Sequence, residues 1–365
     1  MADAKTGSGK SFLRRRWLTI LILVVVGGWI IVINLPTPQV EPTVFEPSGI
    51  LITDQNVEEP FRAKVVYSPS YLISIGGLEK VHPFDIRKYE KIHQALLADG
   101  LLTEEQTYKP APITREELLL VHTEQYLEDL TSRWKTAEYL EAPVLLMAPV
   151  SLDRAVLAPF RSASGGTLLA SRLAMEDGIG INIGGGYHHA KPDRGEGFCL
   201  YADVAVAIRK LQAENQIERA VVIDVDAHQG NGTAECLPDD PTTFTFSIHQ
   251  GNIYPNPKST SDLDIELASG TTDAQYMEIL NKALGPVLDK ANADICFIVA
   301  GCDTLSTDPL ASLQMTPEGI VERDSAIVAE CVKRRLPVVF TLSGGYSPDA
   351  WRTQYLSIKK LLEAY

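Results

Sequence analysis

The sequence predicts an α/β chain: a single three-layer α/β/α domain on a mostly parallel sheet, preceded by one N-terminal transmembrane helix. Three observations predict it. Short apolar runs recur, most of them running into Gly, Asp, His or Ser. Longer segments with helical period separate most of these runs. One uncharged run, residues 17–33, stands apart near the N-terminus. Strand and helix alternating at this spacing give a parallel sheet covered on both faces.

The expected strands are residues 64–67, 180–183, 220–225, 243–248, 294–300 and 336–342. The expected helices include 115–130, 166–177, 204–214, 273–291 and 316–334. The last opens on Thr316-Pro317, an N-cap followed by proline at the first helical position. Hydrophobic residues make up 45% of the 365 and charged residues 22%, which excludes a disordered, collagen-like or coiled-coil chain. No repeat and no midpoint linker divides the body.

Residues 17–33 read WLTILILVVVGGWIIVI, long enough for a short membrane-spanning helix, expected over 17–34. Arg14, Arg15 and Arg16 precede it, and no Lys or Arg follows before Arg62. The positive-inside rule then leaves a basic segment, 1–16, in the cytoplasm. The body is expected across the membrane, on the non-cytoplasmic side. A cleaved signal peptide is the rival, but no A-x-A site follows the run. A helix apolar all round is unusual for a soluble protein. Residues 35–60 hold five prolines and read as a linker, and 61–365 as the folded domain.

The net charge of −14 is uneven: residues 1–34 carry +4, and the remainder has 28 basic against 46 acidic residues, −18. A body that acidic repels phosphate, so no nucleic-acid partner is expected. Cys199, Cys236, Cys296, Cys302 and Cys331 are odd in number, widely spaced and without CxxC. They read as buried free thiols rather than disulfides or a structural zinc site.

Ligands of a parallel sheet bind beyond the carboxyl ends of its strands. The unusual residues collect there: Gly184-Gly185-Gly186-Tyr187-His188-His189, then Asp224-Val225-Asp226-Ala227-His228 with Asn231, then Gly301-Cys302-Asp303, then Ser343-Gly344-Gly345-Tyr346. Asp224, Asp226 and His228 are spaced by two, so in an extended chain they share one face. Asp226, His228 and Asp303 make a two-carboxylate, one-imidazole metal set that leaves a position for water, the pattern of catalytic zinc. The oxygen-rich set also suits Fe(II). Adjacent side chains diverge, so His188-His189 reads as acid–base machinery beside the metal. Asp224 would orient one imidazole, and Asn231 the other without adding charge. Tyr346 offers a neutral O–H where an oxyanion forms. The sum is metal-assisted hydrolysis of an acyl bond.

GGGYHH, DRGEGFCLYAD, DVDAHQGNG, AGCDTLSTDPL and SGGY resemble, in order, the motifs of the histone-deacetylase family within the arginase/deacetylase fold. VVYSPSYLISIGGLEKVHPFD and VERDSAIVAECVKRRLPVVFTLSGGY are similar to its class IV branch. The resemblance covers about residues 60–365. It implies Zn2+ on Asp226, His228 and Asp303, with His189 as general base and acid. It implies His188 paired to Asp224, and Tyr346 as the carbonyl-polarising residue. It also implies an acyl-lysine tunnel walled by Gly197, Phe198, Leu310 and Tyr254, and a structural K+ near Asp224 and Ser247.

The function expected is a zinc-dependent deacylase acting on acyl-lysine or a related acylated amine. The membrane segment turns attention from histones to acylated amines, peptides or envelope proteins. An acetylpolyamine amidohydrolase is the alternative within enzymes. A non-catalytic, membrane-tethered acyl-lysine binder would lack a ligand, the His pair or Tyr346, and this chain keeps all of them. Two-metal arginase chemistry would need further Asp and His ligands. His82, His122 and His249 read as structural, and His93 as a solvated residue of a helix.

Overall fold

The structure, a computed structural model, describes residues 60–365 and, by backbone alone, two further strands, Thr19–Val26 and Trp29–Pro36. These two pair antiparallel, with Thr19 opposite Pro36 and Val26 opposite Trp29, in a unit of their own. They correct the helix expected over 17–34. Ile and Val dominate both runs, β-branching favours extended backbone, and the sequence sets Gly27-Gly28 between them, a two-residue hairpin signal. Among the described residues no helix is long and apolar enough to cross a membrane. The basic 1–16 segment and nearly all of the linker expected over 35–60 lie outside the described residues.

The domain is built on eight strands: β1 (Arg62–Val66), β2 (Thr107–Tyr108), β3 (Gly178–Asn182), β4 (Ala220–Asp224), β5 (Thr243–Gln250), β6 (Leu263–Leu267), β7 (Ile295–Val299) and β8 (Val338–Thr341). Their order in the sheet is β2-β1-β3-β8-β7-β4-β5-β6, with every neighbour parallel. The central strands are buried throughout, as a sheet covered on both faces requires. Alternate residues serve two cores. Val221, Ile223, Cys296, Ile298, Val338 and Phe340 face one. Val222, Ile295, Phe297 and Val339 face the other.

Helices α1 (Lys88–Ala98), α5 (Asp273–Ala291), α6 (Pro317–Lys333) and α7 (Ala350–Ala364) pack on the first face. Helices α2 (Ala158–Asp177) and α3 (Asp203–Ala213) cover the second. The short α4 (Asn231–Cys236) follows β4. Helix α6 starts as expected: the Thr316 hydroxyl accepts from Gly319 N at 3.0 Å with Pro317 behind it.

Two expectations give way to tertiary contacts. The helix expected over 115–130 is two short ones, Arg115–Leu118 and Glu124–Asp129. Thr123 restarts the helix by accepting from Tyr126 N at 3.2 Å, while its own N–H donates to Pro192 O at 2.8 Å. His93 is buried rather than solvated. It stacks on Tyr67 with ring centroids 4.4 Å apart, and its Nε2 is 3.0 Å from Thr107 Oγ1. The edge strand β2, too short to show a period, brings that threonine over α1. All five cysteines are free and buried, as expected.

Candidate active site

The four motif-bearing segments follow β3, β8, β7 and β4, four neighbours at the centre of the sheet. Parallel pairing aligns their carboxyl ends, so residues far apart in sequence meet at one rim.

Asp226, His228 and Asp303 each offer one ligand atom, and these atoms lie within 4.8 Å of one another. His228 Nδ1 is 2.8 Å from Asp303 Oδ2 and 3.2 Å from Asp226 Oδ1. The outer oxygens are anchored. Asp226 Oδ2 accepts from Ser343 Oγ and Gly344 N, both at 2.9 Å. Asp303 Oδ1 accepts from Ala227 N at 2.7 Å. Gly344 is required by this approach: a Cβ there would lie 2.5 Å from Asp226 Oδ2 and 2.6 Å from Asp303 Oδ2. Two fully buried carboxylates side by side call for a cation. Burial and the neighbouring Asp226 push Asp303 up to about 7. Burial opposes charge on His228, but the two carboxylates outweigh it and hold the ring up to about 10. The donors fit a single divalent ion held by two oxygens and a nitrogen.

The adjacent imidazoles have different partners. His188 Nδ1 is 2.7 Å from Asp224 Oδ2, and His189 Nδ1 is 2.6 Å from the neutral Asn231 Oδ1. Burial disfavours charge on both. At His188 the Asp224 and Asp226 carboxylates outweigh it and raise the ring to about 9. At His189 burial and the charges of His188 and His228 add, holding it well below the ordinary imidazole range. The two rings are therefore pushed in opposite directions, His188 toward its charged form and His189 toward its neutral form. Tyr346 packs edge-on to His228 with centroids 6.3 Å apart. Burial, with Asp226 and Asp303 nearby, keeps its hydroxyl protonated.

The tunnel residues divide. Gly197 and Phe198 form a two-residue turn between Glu196 and Cys199, both with positive φ, 53° and 67°. A Cβ on Gly197 would run into the His189 ring, so only glycine lets the wall come this close. The Tyr254 ring is 5.0 Å from that of His189. Leu310 is 37% exposed, and neither it nor Tyr254 lines the cavity described below. Leu310 joins the same rim through Asp308, whose carboxylate accepts from Leu310 N and Tyr346 N. Asp224 and Ser247 are register partners on β4 and β5. Ser247 Oγ is 2.9 Å from His249 Nδ1.

A cavity of about 90 Å3 opens beside His188, His189 and Tyr346. Its far wall is apolar, including Ile73, Ile75, Val144, Leu145 and Phe160. His82 lines it too, packed edge-on to Phe198 at 4.6 Å and bonded to Leu140 O and Phe84 N. His122 is structural, bridging Lys191 O and Ala202 N.

The motifs include Ser343, Glu196 and Arg323 without pointing to a role for them, and Lys88 lies outside the motifs. Ser343, Glu196 and the fully buried Lys88 and Arg323 all touch the site or its supports. Lys88 Nζ donates to Ser343 O at 2.8 Å and Gly344 O at 3.2 Å. The Arg323 guanidinium donates to Val225 O at 2.9 Å and Gly301 O at 2.8 Å, beside Asp226 and Asp303. Arg323 had a signal: it shares the apolar stripe of Ile320 and Ile327 on α6, where an arginine needs buried partners.

The histone deacetylase domain, as a protein family, matches residues 82–362 of this chain. The chain belongs to the histone deacetylase family. Histone deacetylase 2 of Arabidopsis thaliana is 38% identical over 304 residues, covering 82% of this chain and 79% of that protein. An uncharacterized protein of Picosynechococcus sp. is 36% identical over 285 residues, 78% of this chain and 92% of its own. The acetoin utilization protein AcuC of Staphylococcus aureus is 29% identical over 305 residues, 76% and 77% of the two chains. The crystal structure of the HDA15 HD domain superposes with a TM-score of 0.67 at 21% identity, over 82% of this chain and 90% of that one, a likeness of fold. Members of the histone deacetylase family hydrolyse amides, and this chain is an amide-hydrolysing enzyme of that kind.

Proposed function

We propose that this enzyme is a zinc-dependent deacylase that removes an acyl group from lysine or a related amine. The carrying observation is the convergence of Asp226, His228 and Asp303 beside a neutral His189 and the Tyr346 hydroxyl. Bound by those three residues, Zn2+ would supply Lewis acidity, polarising the amide carbonyl and lowering the pKa of a water.

The chain's own residues supply the rest. His189 takes a proton from the attacking water and returns it to the leaving amine. His188, paired with Asp224, holds positive charge beside the developing oxyanion. Tyr346 donates its O–H to that oxyanion. Gly197, Phe198 and Tyr254 flank the lysine chain, and the apolar cavity receives the acyl group. A structural K+ beside Asp224 and Ser247 belongs to the same reading.

The acidic body supports an acetylpolyamine amidohydrolase, with its cationic amine substrate, as second reading. The apolar run over residues 17–33 supports a membrane-attached enzyme. Fractionation of the full-length protein tests that: recovery of the intact chain in the soluble fraction would overturn it.

The deciding assay uses purified enzyme on acetyl-, octanoyl- and myristoyl-lysine peptides and on acetylpolyamines, with and without chelator. Chelator-sensitive turnover of a peptide supports the first reading. Turnover of acetylpolyamines alone supports the second, and chelator-resistant turnover rules out the metal.

A further inference from the structure

Glu196 lies just before the Gly197-Phe198 turn, whose ends close by Cys199 N donating to Glu196 O at 2.9 Å. Its Oε1 accepts twice: from Asn231 Nδ2 at 3.1 Å and from the Tyr254 hydroxyl at 2.7 Å. Its Oε2 is 2.9 Å from Lys191 Nζ, a buried lysine that also reaches Glu235 Oε1 at 2.9 Å. One carboxylate therefore touches the partner of His189, the tunnel wall and a buried cation.

A side-chain amide has an accepting end and a donating end, and either could face an imidazole. An ionised carboxylate only accepts. With Glu196 Oε1 against it, the Asn231 amide must turn its NH2 outward and its oxygen toward His189 Nδ1, 2.6 Å away. That oxygen accepts a hydrogen bond from Nδ1–H, which leaves the lone pair on Nε2, the nitrogen a general base needs. The same carboxylate pins the Tyr254 ring against His189.

We propose that Glu196 is a positioning residue: through Asn231 it fixes the tautomer of His189, and through Tyr254 it fixes the facing wall of the tunnel. The proposal rests on the reading of His189 as general base. It also accounts for the neutral residue at 231, since an aspartate there would set two carboxylates about 3.1 Å apart. If the pair is coupled, its polarity can be reversed. Glutamine at 196 can accept from Lys191 and donate to an aspartate at 231, which still accepts from His189.

The experiment compares wild type, Glu196→Ala, Asn231→Asp and the double variant E196Q/N231D. Each full-length protein is checked for an unchanged thermal transition. Kinetics are measured on an acyl-lysine peptide, and the His189 ring is followed by 15N NMR with labelled histidine. Glu196→Ala should lower kcat by roughly 10- to 100-fold, the scale of a lost buried partner, with KM nearly constant. Asn231→Asp should lose at least as much, and the double variant should recover most of it. The NMR should show a proton on Nδ1 in wild type and a tautomer mixture in Glu196→Ala. The proposal is overturned if Glu196→Ala keeps its kcat, if E196Q/N231D is no more active than Asn231→Asp, or if the tautomer is unchanged. Should the wild type prove inactive on every acylated amine, the deacylase reading fails, and the NMR arm still decides the role of Glu196.

Discussion

His228 Nδ1 lies 2.8 Å from Asp303 Oδ2, and the other oxygen of Asp303 is held by Ala227 N at 2.7 Å. The carboxylate therefore reaches the site already oriented. Replacing it by alanine removes one donor of three and leaves Asp226 and His228 to bind alone. Asp303→Ala should lose most of its bound metal, read by elemental analysis after dialysis, and turnover with it. Full stoichiometry in that variant would remove Asp303 from the ligand set.

His189→Ala should retain the metal, because its Nδ1 contact is to Asn231 rather than to a ligand. Its kcat should fall by about 10²–10⁴, the range of general acid–base catalysis. Activity within a few-fold of wild type would hand the proton to another group.

Tyr346→Phe deletes one O–H and keeps the ring that packs on Phe198 and Phe84. A donor aimed at a developing oxyanion is worth about 2.7–4 kcal/mol, so kcat should drop by about 10²–10³. If kcat holds and KM alone rises, the hydroxyl binds substrate without assisting the chemistry.

The apolar cavity should set the acyl length. Val144 lines it and is only partly buried, so Val144→Trp can fill the space from its edge. Turnover of myristoyl-lysine should fall at least tenfold, given that one misfit methylene costs about 1–3 kcal/mol. Acetyl-lysine turnover should hold. Equal losses on both substrates would show that the acyl chain lies elsewhere.

His122 gives the fold a predictable acid sensitivity. Burial lowers its ring from 6.5 to about 4, so the folded state holds it neutral while the unfolded chain takes up a proton. Its contribution is fully present above 6.5 and is lost as pH falls from about 6.5 toward about 4, on the order of 3 kcal/mol in all. Urea titrations across that window should show falling stability, with a shallower fall in His122→Leu. Parallel curves for the two proteins would contradict this.

The reactive centre was legible because strand ends in a parallel sheet concentrate it. Asp224 ends β4, and Asp226 and His228 lie in the bend directly after it, so the strand end itself delivers them. The partners of the two imidazoles were also readable, since Asp224 and Asn231 were the polar residues left over after the metal set. What was not readable depends on long-range closure. Glu196 looks like an ordinary loop acid until the turn at Gly197 folds it back on Asn231. His93 looks solvated until β2 lays Thr107 over it. Leu310, expected in the tunnel wall, is 37% exposed, and its N–H is held by the Asp308 carboxylate that also holds Tyr346 N, a link no motif spells out. At residues 17–34, hydrophobicity alone suggests a helix, whereas the Ile and Val content and Gly27-Gly28 favour paired strands.

The bond from Ser343 Oγ to Asp226 Oδ2 joins residues 117 positions apart. On the ribosome, Asp226 emerges well before the serine that aims it. A nascent chain halted before β8 would carry all three metal donors with one of them unsteered and the tyrosine still missing. It would also lack the strand that joins β3 to β7 in the sheet order, so the histidine pair after β3 and the donors after β7 and β4 would not be drawn to one rim.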